Sequence, residues 1–160
     1  MLIEMSIRGL MVDPVSNMPI VILRDQDNQR VLPIWVGPVE ANAIALQLEN
    51  VSPSRPMTHD LMKNLLLELG VTVRRVVITD LRDSTFFAYL ELEVGGSTVL
   101  IDARPSDALA LCLRVKAPVF VHPRVLDGAK SIEMNADQAN QERLQKWLES
   151  LDPDDLGYKM

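Results

Sequence analysis

The chain has 160 residues, the size of one domain with room for a real core, and 48% of them are hydrophobic. That excludes a disordered chain, and no apolar run approaches the roughly 20 residues a membrane-spanning helix needs. The formal net charge of −6 gives no global support for binding a polyanion, so a nucleic-acid contact requires a local basic patch or a bound cation.

The first residues, MLIEMSIRGL, carry Glu4 where a secretory leader is basic. They read as a strand, and the chain is expected in the cytoplasm. Residues 2–12, 19–24 and 30–36 are apolar and β-branched. Polar turns at 13–17 and 25–29 separate them and predict an antiparallel meander. Gly37-Pro38 then breaks the third strand and opens a helix over 39–50, with Glu40 in its first turn. A loop over 51–57 with two prolines leads to Thr58, the candidate N-cap of the next helix. Leu61, Met62, Leu65, Leu66 and Leu69 form one broad apolar face of that helix, and Gly70 ends it.

A second β-block follows, with strands at 71–81, 85–94 and 97–103, a turn at 82–84 and the hairpin signal Gly95-Gly96. Residues 105–115 predict a nearly all-apolar, central helix. Cys112, the only cysteine, lies within it and reads as a buried thiol. A short strand over 118–121 and an irregular or briefly helical stretch over 122–134 complete the main body. The fold class expected is α+β, a mixed, largely antiparallel sheet or sheets packed against about four helices. Residues 1–135 read as the domain. Residues 136–160 read as an amphipathic helix, with Leu144, Trp147, Leu148 and Leu151 as its stripe, and an acidic tail. This segment is expected to pack on the same domain or on a partner.

Polar chemistry concentrates in two Arg-Pro segments, RPMTHD from Arg55 to Asp60 and DARPSD from Asp102 to Asp107. Each places an arginine, a hydroxyl and carboxylates at a helix start, where free N–H groups favour an anion. Arg55, Arg104, Thr58 and Ser106 are the candidate phosphate binders. Phosphodiester hydrolysis draws on metal-bound carboxylates, a general base and a cation facing the developing charge. His59, Asp60, Asp102 and Asp107 are the candidate catalytic residues, with His59 as base. Asp60, Asp102, Asp107 and Glu40 are the candidate ligands of Mg²⁺ or Mn²⁺. A purely structural reading stands beside this one, in which the same residues cap helices and pair with one another. Spacing alone does not bring the two segments together. P-loop, dinucleotide-binding and nucleophile-elbow signatures are absent.

The segments LPIWVGPVEANAIALQLE, RPMTHDLMKNLLLELG, VVITDLRDSTFFAYLEL and IDARPSDALALCLRVKAPVFV, in that order, resemble the bifunctional nuclease domain family over about residues 2–121. The stretch ERLQKWLESLDPDDL is similar to the tail of many members. The resemblance is to a bacterial-type member. It implies a compact α+β fold, a tendency to self-associate, and nuclease activity toward DNA and RNA, an activity attributed chiefly to plant members. Many bacterial members carry an additional small helical region similar to one in excision-repair proteins, which a chain ending at Met160 is expected to lack. The resemblance brings no catalytic residue set, so the site residues above rest on their own chemistry. The leading expectation is a nuclease assisted by a divalent metal, self-associating and without a membrane partner. The alternative is a non-catalytic regulatory module that binds an anion or a protein partner.

Overall fold

A computed structural model describes residues 1–129 and 132–133. Along the chain run β1 (Ile3–Val12), β2 (Pro19–Asp25), β3 (Arg30–Trp35), α1 (Pro38–Leu48), α2 (Thr58–Glu68) and β4 (Thr72–Arg82). They are followed by β5 (Thr85–Val94), β6 (Ser97–Ala103), α3 (Pro105–Val115), β7 (Val119–Val121), α4 (Pro123–Gly128) and β8 (Ile132–Glu133). The strands form one sheet in the order β6-β5-β4-β7-β1-β2-β3-β8. All neighbours are antiparallel except β4 and β7. This is the α+β arrangement expected. Two antiparallel meanders lie side by side, and the short β7 joins them. No helix among the described residues is long and apolar enough to cross a membrane. The expected C-terminal helix and acidic tail lie outside the described residues.

Local chemistry sets the turns. Asp83 and Ser84 both have positive φ, as do Gly95 and Gly96. Two-residue loops of that kind match the twist of the strands they join. Asp13 does more than start a polar turn. Its carboxylate accepts from the Val15 amide, the Ser16 hydroxyl and Trp35 Nε1, the last at 2.9 Å, and it is fully buried. It therefore ties the β1–β2 turn to the end of β3. Burial opposes its charge, but these donors outweigh burial and hold the carboxyl below the usual carboxylate range.

Alternation on β5 decides which face the helices cover. Phe86, Ala88, Leu90 and Leu92 are buried, whereas Phe87, Tyr89, Glu91 and Glu93 are only half-buried. The buried face carries α3, whose own residues Ala108 to Cys112 are all in the core. In turn α3 packs against α1 and α2. Cys112 is buried there, and burial pushes its thiol up to about 12.

The structure differs from the expected α2 in two ways. Met62 and Leu66 face the core, but Leu61, Leu65 and Leu69 are exposed. The broad apolar face is thus split, because α2 leans on α3 along one edge only. The N-cap is Met57 rather than Thr58. Asp60, at the third helical position, accepts from the Met57 amide at 2.9 Å. That contact is the returning half of a capping box, so no hydroxyl cap is needed.

Candidate active site

The starts of α1, α2 and α3 meet. Four of the residues singled out in sequence, Glu40, His59, Arg104 and Asp107, converge there. His59 Nε2 lies 3.1 Å from Asp107 Oδ1. Arg104 donates from Nε and Nη2 to Asp107 Oδ2, each at 3.0 Å, and from Nη1 to Glu40 Oε1 at 3.2 Å. Both arginine-bound carboxylates favour its charged form, Asp107 most strongly. A pocket of about 240 Å³ opens between them, walled by Glu40, Met57, Thr58, His59, Arg104 and Arg114 among others.

Each side chain is held by its element. Pro105 begins α3 and Arg104 is its N-cap residue, in extended conformation, which projects the guanidinium back over the first turn. Glu40 sits one turn into α1 with its carboxylate folded against Gly37, where a Cβ would collide with Glu40 Oε2. The bare backbone at Gly37 therefore gives Glu40 room to reach Arg104. His59 is only 9% exposed, in the first turn of α2.

A carboxylate only accepts, so Asp107 assigns the His59 proton to Nε2. Nδ1 is left with its lone pair and has no hydrogen-bond partner among the described residues. That is the tautomer of a histidine ready to take a proton, with a carboxylate to stabilise the cation formed.

The residue that sequence reading missed is Arg114. Its side chain is 3% exposed. It donates to Asp60 Oδ1 at 2.8 Å, to the Ala110 carbonyl at 2.7 Å and to the Ala43 carbonyl at 2.9 Å. One guanidinium thus fastens α3 to α2 and α1. The signal was there in ALALCLRV, where a lone charge interrupts a buried helix and so demands partners. The Met57 amide lowers the Asp60 carboxyl most, Arg114 and Lys63 add to this, and burial opposes it.

Other expected site residues lie apart. Asp102 pairs with Tyr89 across the sheet and so shares the half-buried face of β5, opposite the face that carries α3. Asp60 has both oxygens engaged, by Met57 and Arg114. Ser106 is 1% exposed, and its hydroxyl has no hydrogen-bond partner among the described residues. It points into the protein rather than toward an anion. Arg55 lines a neighbouring pocket. Among the described residues no three His, Cys, Asp or Glu side chains gather as metal ligands. Of the four carboxylates expected on one ion, Glu40 and Asp107 flank a guanidinium, Asp60 is bonded to another, and Asp102 is across the sheet. This donor set does not fit a shared Mg²⁺ or Mn²⁺.

Residues 21–134 match the bifunctional nuclease domain. The chain belongs to that family. The matched span contains Glu40, His59, Arg104, Asp107 and Arg114, so the whole pocket lies within the domain. An uncharacterized protein of Mycobacterium tuberculosis is 36% identical over 96% of this chain and 97% of its own length. Bifunctional nuclease 2 of Oryza sativa subsp. japonica is 30% identical over 79% of this chain and 41% of its own length. Bifunctional nuclease 1 of Arabidopsis thaliana is 31% identical over 72% and 37%, respectively. The plant proteins are thus similar through this domain and extend well beyond it.

Proposed function

We propose that this domain hydrolyses phosphodiester bonds in DNA or RNA, with His59 as general base. The observation that carries the reading is the His59–Asp107 pair at the wall of a pocket that also holds Arg104. Membership in the bifunctional nuclease domain family supports it. DNA has no 2′-hydroxyl, so a nuclease acting on both polymers attacks with water. His59 Nδ1 takes the proton from that water as its oxygen bonds to phosphorus, Asp107 stabilises the imidazolium, and the ester P–O bond to one sugar breaks, its oxygen leaving as a hydroxyl with a proton from solvent. Arg104, which has five N–H groups and uses three of them on carboxylates, offers the rest to the charge that builds on phosphorus oxygens. No step is assigned to a metal ion, because the carboxylates are not gathered for one. The test is incubation of the chain with DNA and with RNA in Mg²⁺, Mn²⁺ or EDTA. Cleavage is expected to persist in EDTA and to fall at least about 100-fold in His59→Ala and Asp107→Ala, the usual scale of general-base catalysis. No cleavage, or equal cleavage by the variants and by Arg104→Ala, would sink the proposal.

A second reading, a non-catalytic anion-binding module, draws support from the engagement of both Asp107 oxygens in the free protein. It predicts thermal stabilisation by nucleotides or phosphorylated metabolites while nuclease assays stay blank.

Self-association belongs to the same proposal. β6 is an edge strand, and residues 97–102 are all exposed, including Val99, Leu100 and Ile101. β6 itself carries no Lys or Arg, and unguarded edges pair with other strands. Antiparallel pairing about Leu100 sets Val99 of one copy opposite Ile101 of the next. Leu100→Lys is expected to convert an oligomer to monomer in light scattering. An unchanged mass would exclude this edge.

A further inference from the structure

A second concavity, of about 300 Å³, shares Arg114 with the His59 pocket. Its wall is the 51–56 loop and one side of α2, and it presents Gln47, Ser52, Ser54, Arg55, Lys63 and Arg114. The two pockets differ in charge. In the His59 pocket Arg104 and Arg114 are balanced by Glu40 and Asp107. In the second, Arg55, Lys63 and Arg114 face a single carboxylate, Asp60. A surplus of positive charge therefore gathers in one concavity of a chain whose net charge is −6.

The surplus is available. Arg114 uses three of its five N–H groups on Asp60 and two carbonyls. Arg55 and Lys63 make no hydrogen bond or ion pair among the described residues. Lys63 feels the charge of Asp60 but makes no contact with it, and the hydrogen bonds of that carboxylate go to Arg114 and the Met57 amide. The Arg55 fork, the Lys63 ammonium and two serine hydroxyls suit a group with several anionic oxygens spread in three dimensions. Pro53 and Pro56 restrict the loop that carries Arg55, which lowers the entropy lost on capturing a ligand.

We infer that this pocket is a second phosphate subsite, holding a phosphate that neighbours the one presented to His59. The inference rests on the nuclease reading and sharpens it. The substrate is a chain with at least two backbone phosphates, anchored by one and cut at the other, rather than a mononucleotide ester. Electrostatics then divides the labour. The cationic pocket captures the polyanion, and the balanced pocket, where Arg104 is already restrained by carboxylates, does the chemistry.

The test separates binding from cleavage. Fluorescein-labelled hexathymidylate is titrated with the chain in EDTA across a salt series, read by fluorescence anisotropy. Arg55→Ala/Lys63→Ala is expected to weaken binding at least about 10-fold. It is also expected to flatten the log K against log [salt] slope by about 0.7, the share of the one single-strand phosphate no longer neutralised. The control Arg74→Ala/Arg82→Ala removes the same charge from strand β4 and is expected to change binding less than about 3-fold, a general-field effect. Equal losses in both double variants, or no loss in the first, overturn the inference. Arg55→Glu, an exposed change, repeats the test where the double variant melts early. A wild-type chain that binds through Arg55 and Lys63 but never cleaves would retain the subsite and remove the nuclease reading. Cleavage with binding indifferent to both residues would do the reverse.

Discussion

Arg114→Met tests the claim that one guanidinium sets the geometry of the site. Methionine fills much of the space of the arginine stem but supplies none of its three hydrogen bonds to Asp60, Ala43 and Ala110. Removing one partner of a buried ion pair costs about 3–5 kcal/mol. Asp60 keeps the Met57 amide, and its side chain is 25% exposed, so water meets part of the need. The lower end, about 3 kcal/mol, is therefore expected. With a urea m-value of about 2 kcal/mol/M, the unfolding midpoint falls by about 1.5 M at unchanged m. A double-mutant cycle with Asp60→Ala isolates the pair, and a coupling above about 1 kcal/mol is expected for groups in direct contact. A loss below about 1 kcal/mol for Arg114→Met, or additivity of the two substitutions, would refute the assignment of Arg114 as the clamp between α1, α2 and α3.

Asp107→Asn keeps the shape of the dyad but lets the amide donate to His59, which selects the wrong tautomer. Cleavage is expected to fall about 10²–10⁴-fold with the melting temperature nearly unchanged, and equal turnover would exclude the dyad. The lowered carboxyl of Asp13 contributes stability that is complete above its unfolded value and is lost as pH falls through its folded one. Thermal melts of Asp13→Asn and wild type are therefore expected to differ at neutral pH and to converge below about pH 4, and a constant gap down to pH 2 would contradict the assignment. Ser106→Ala removes a buried hydroxyl that has no partner among the described residues. It is expected to leave stability equal or up to about 1 kcal/mol higher, and a marked loss would reveal a hydrogen bond. Cys112, buried and with its thiol pushed up to about 12, is expected to resist iodoacetamide at pH 8 until the chain is unfolded.

The meanders were legible because period-two alternation on β5 and turn chemistry at Asp83-Ser84 and Gly95-Gly96 are local signals. α3 was legible as a buried helix for the same reason, its apolar run being unbroken up to Arg114. The order of strands was not legible. Insertion of β7 between β4 and β1 is fixed by how α3 packs and returns the chain, which no local pattern encodes. The same limit governed the site. Arg55-to-Asp60 and Asp102-to-Asp107 share one grammar, yet of their candidate residues Thr58, His59, Arg104 and Asp107 meet Glu40 at the His59 pocket, whereas Arg55, Asp102 and Ser106 do not. Asp102 precedes Arg104 by two residues but belongs to a strand whose alternation turns it to the other side of the sheet. Ser106 stands beside Asp107, but the helical repeat of 3.6 residues rotates its hydroxyl inward. Spacing named the right segments, and the faces of strands and helices chose among their residues.

The three residues of β7 have a consequence for how the chain acquires its shape. Each meander is built from strands adjacent in sequence and can form quickly, whereas β7 registers Val121 on Ile3 and Val119 on Val76. Its pairing with β1 joins opposite ends of the described chain, so loop entropy is lost before many contacts repay it. Closure of the sheet is therefore the slow event, and until it happens the inner edges of β1 and β4 stand open to other chains. Nascent protein is open to aggregation in that interval, until Val119 and Val121 take their places between β1 and β4.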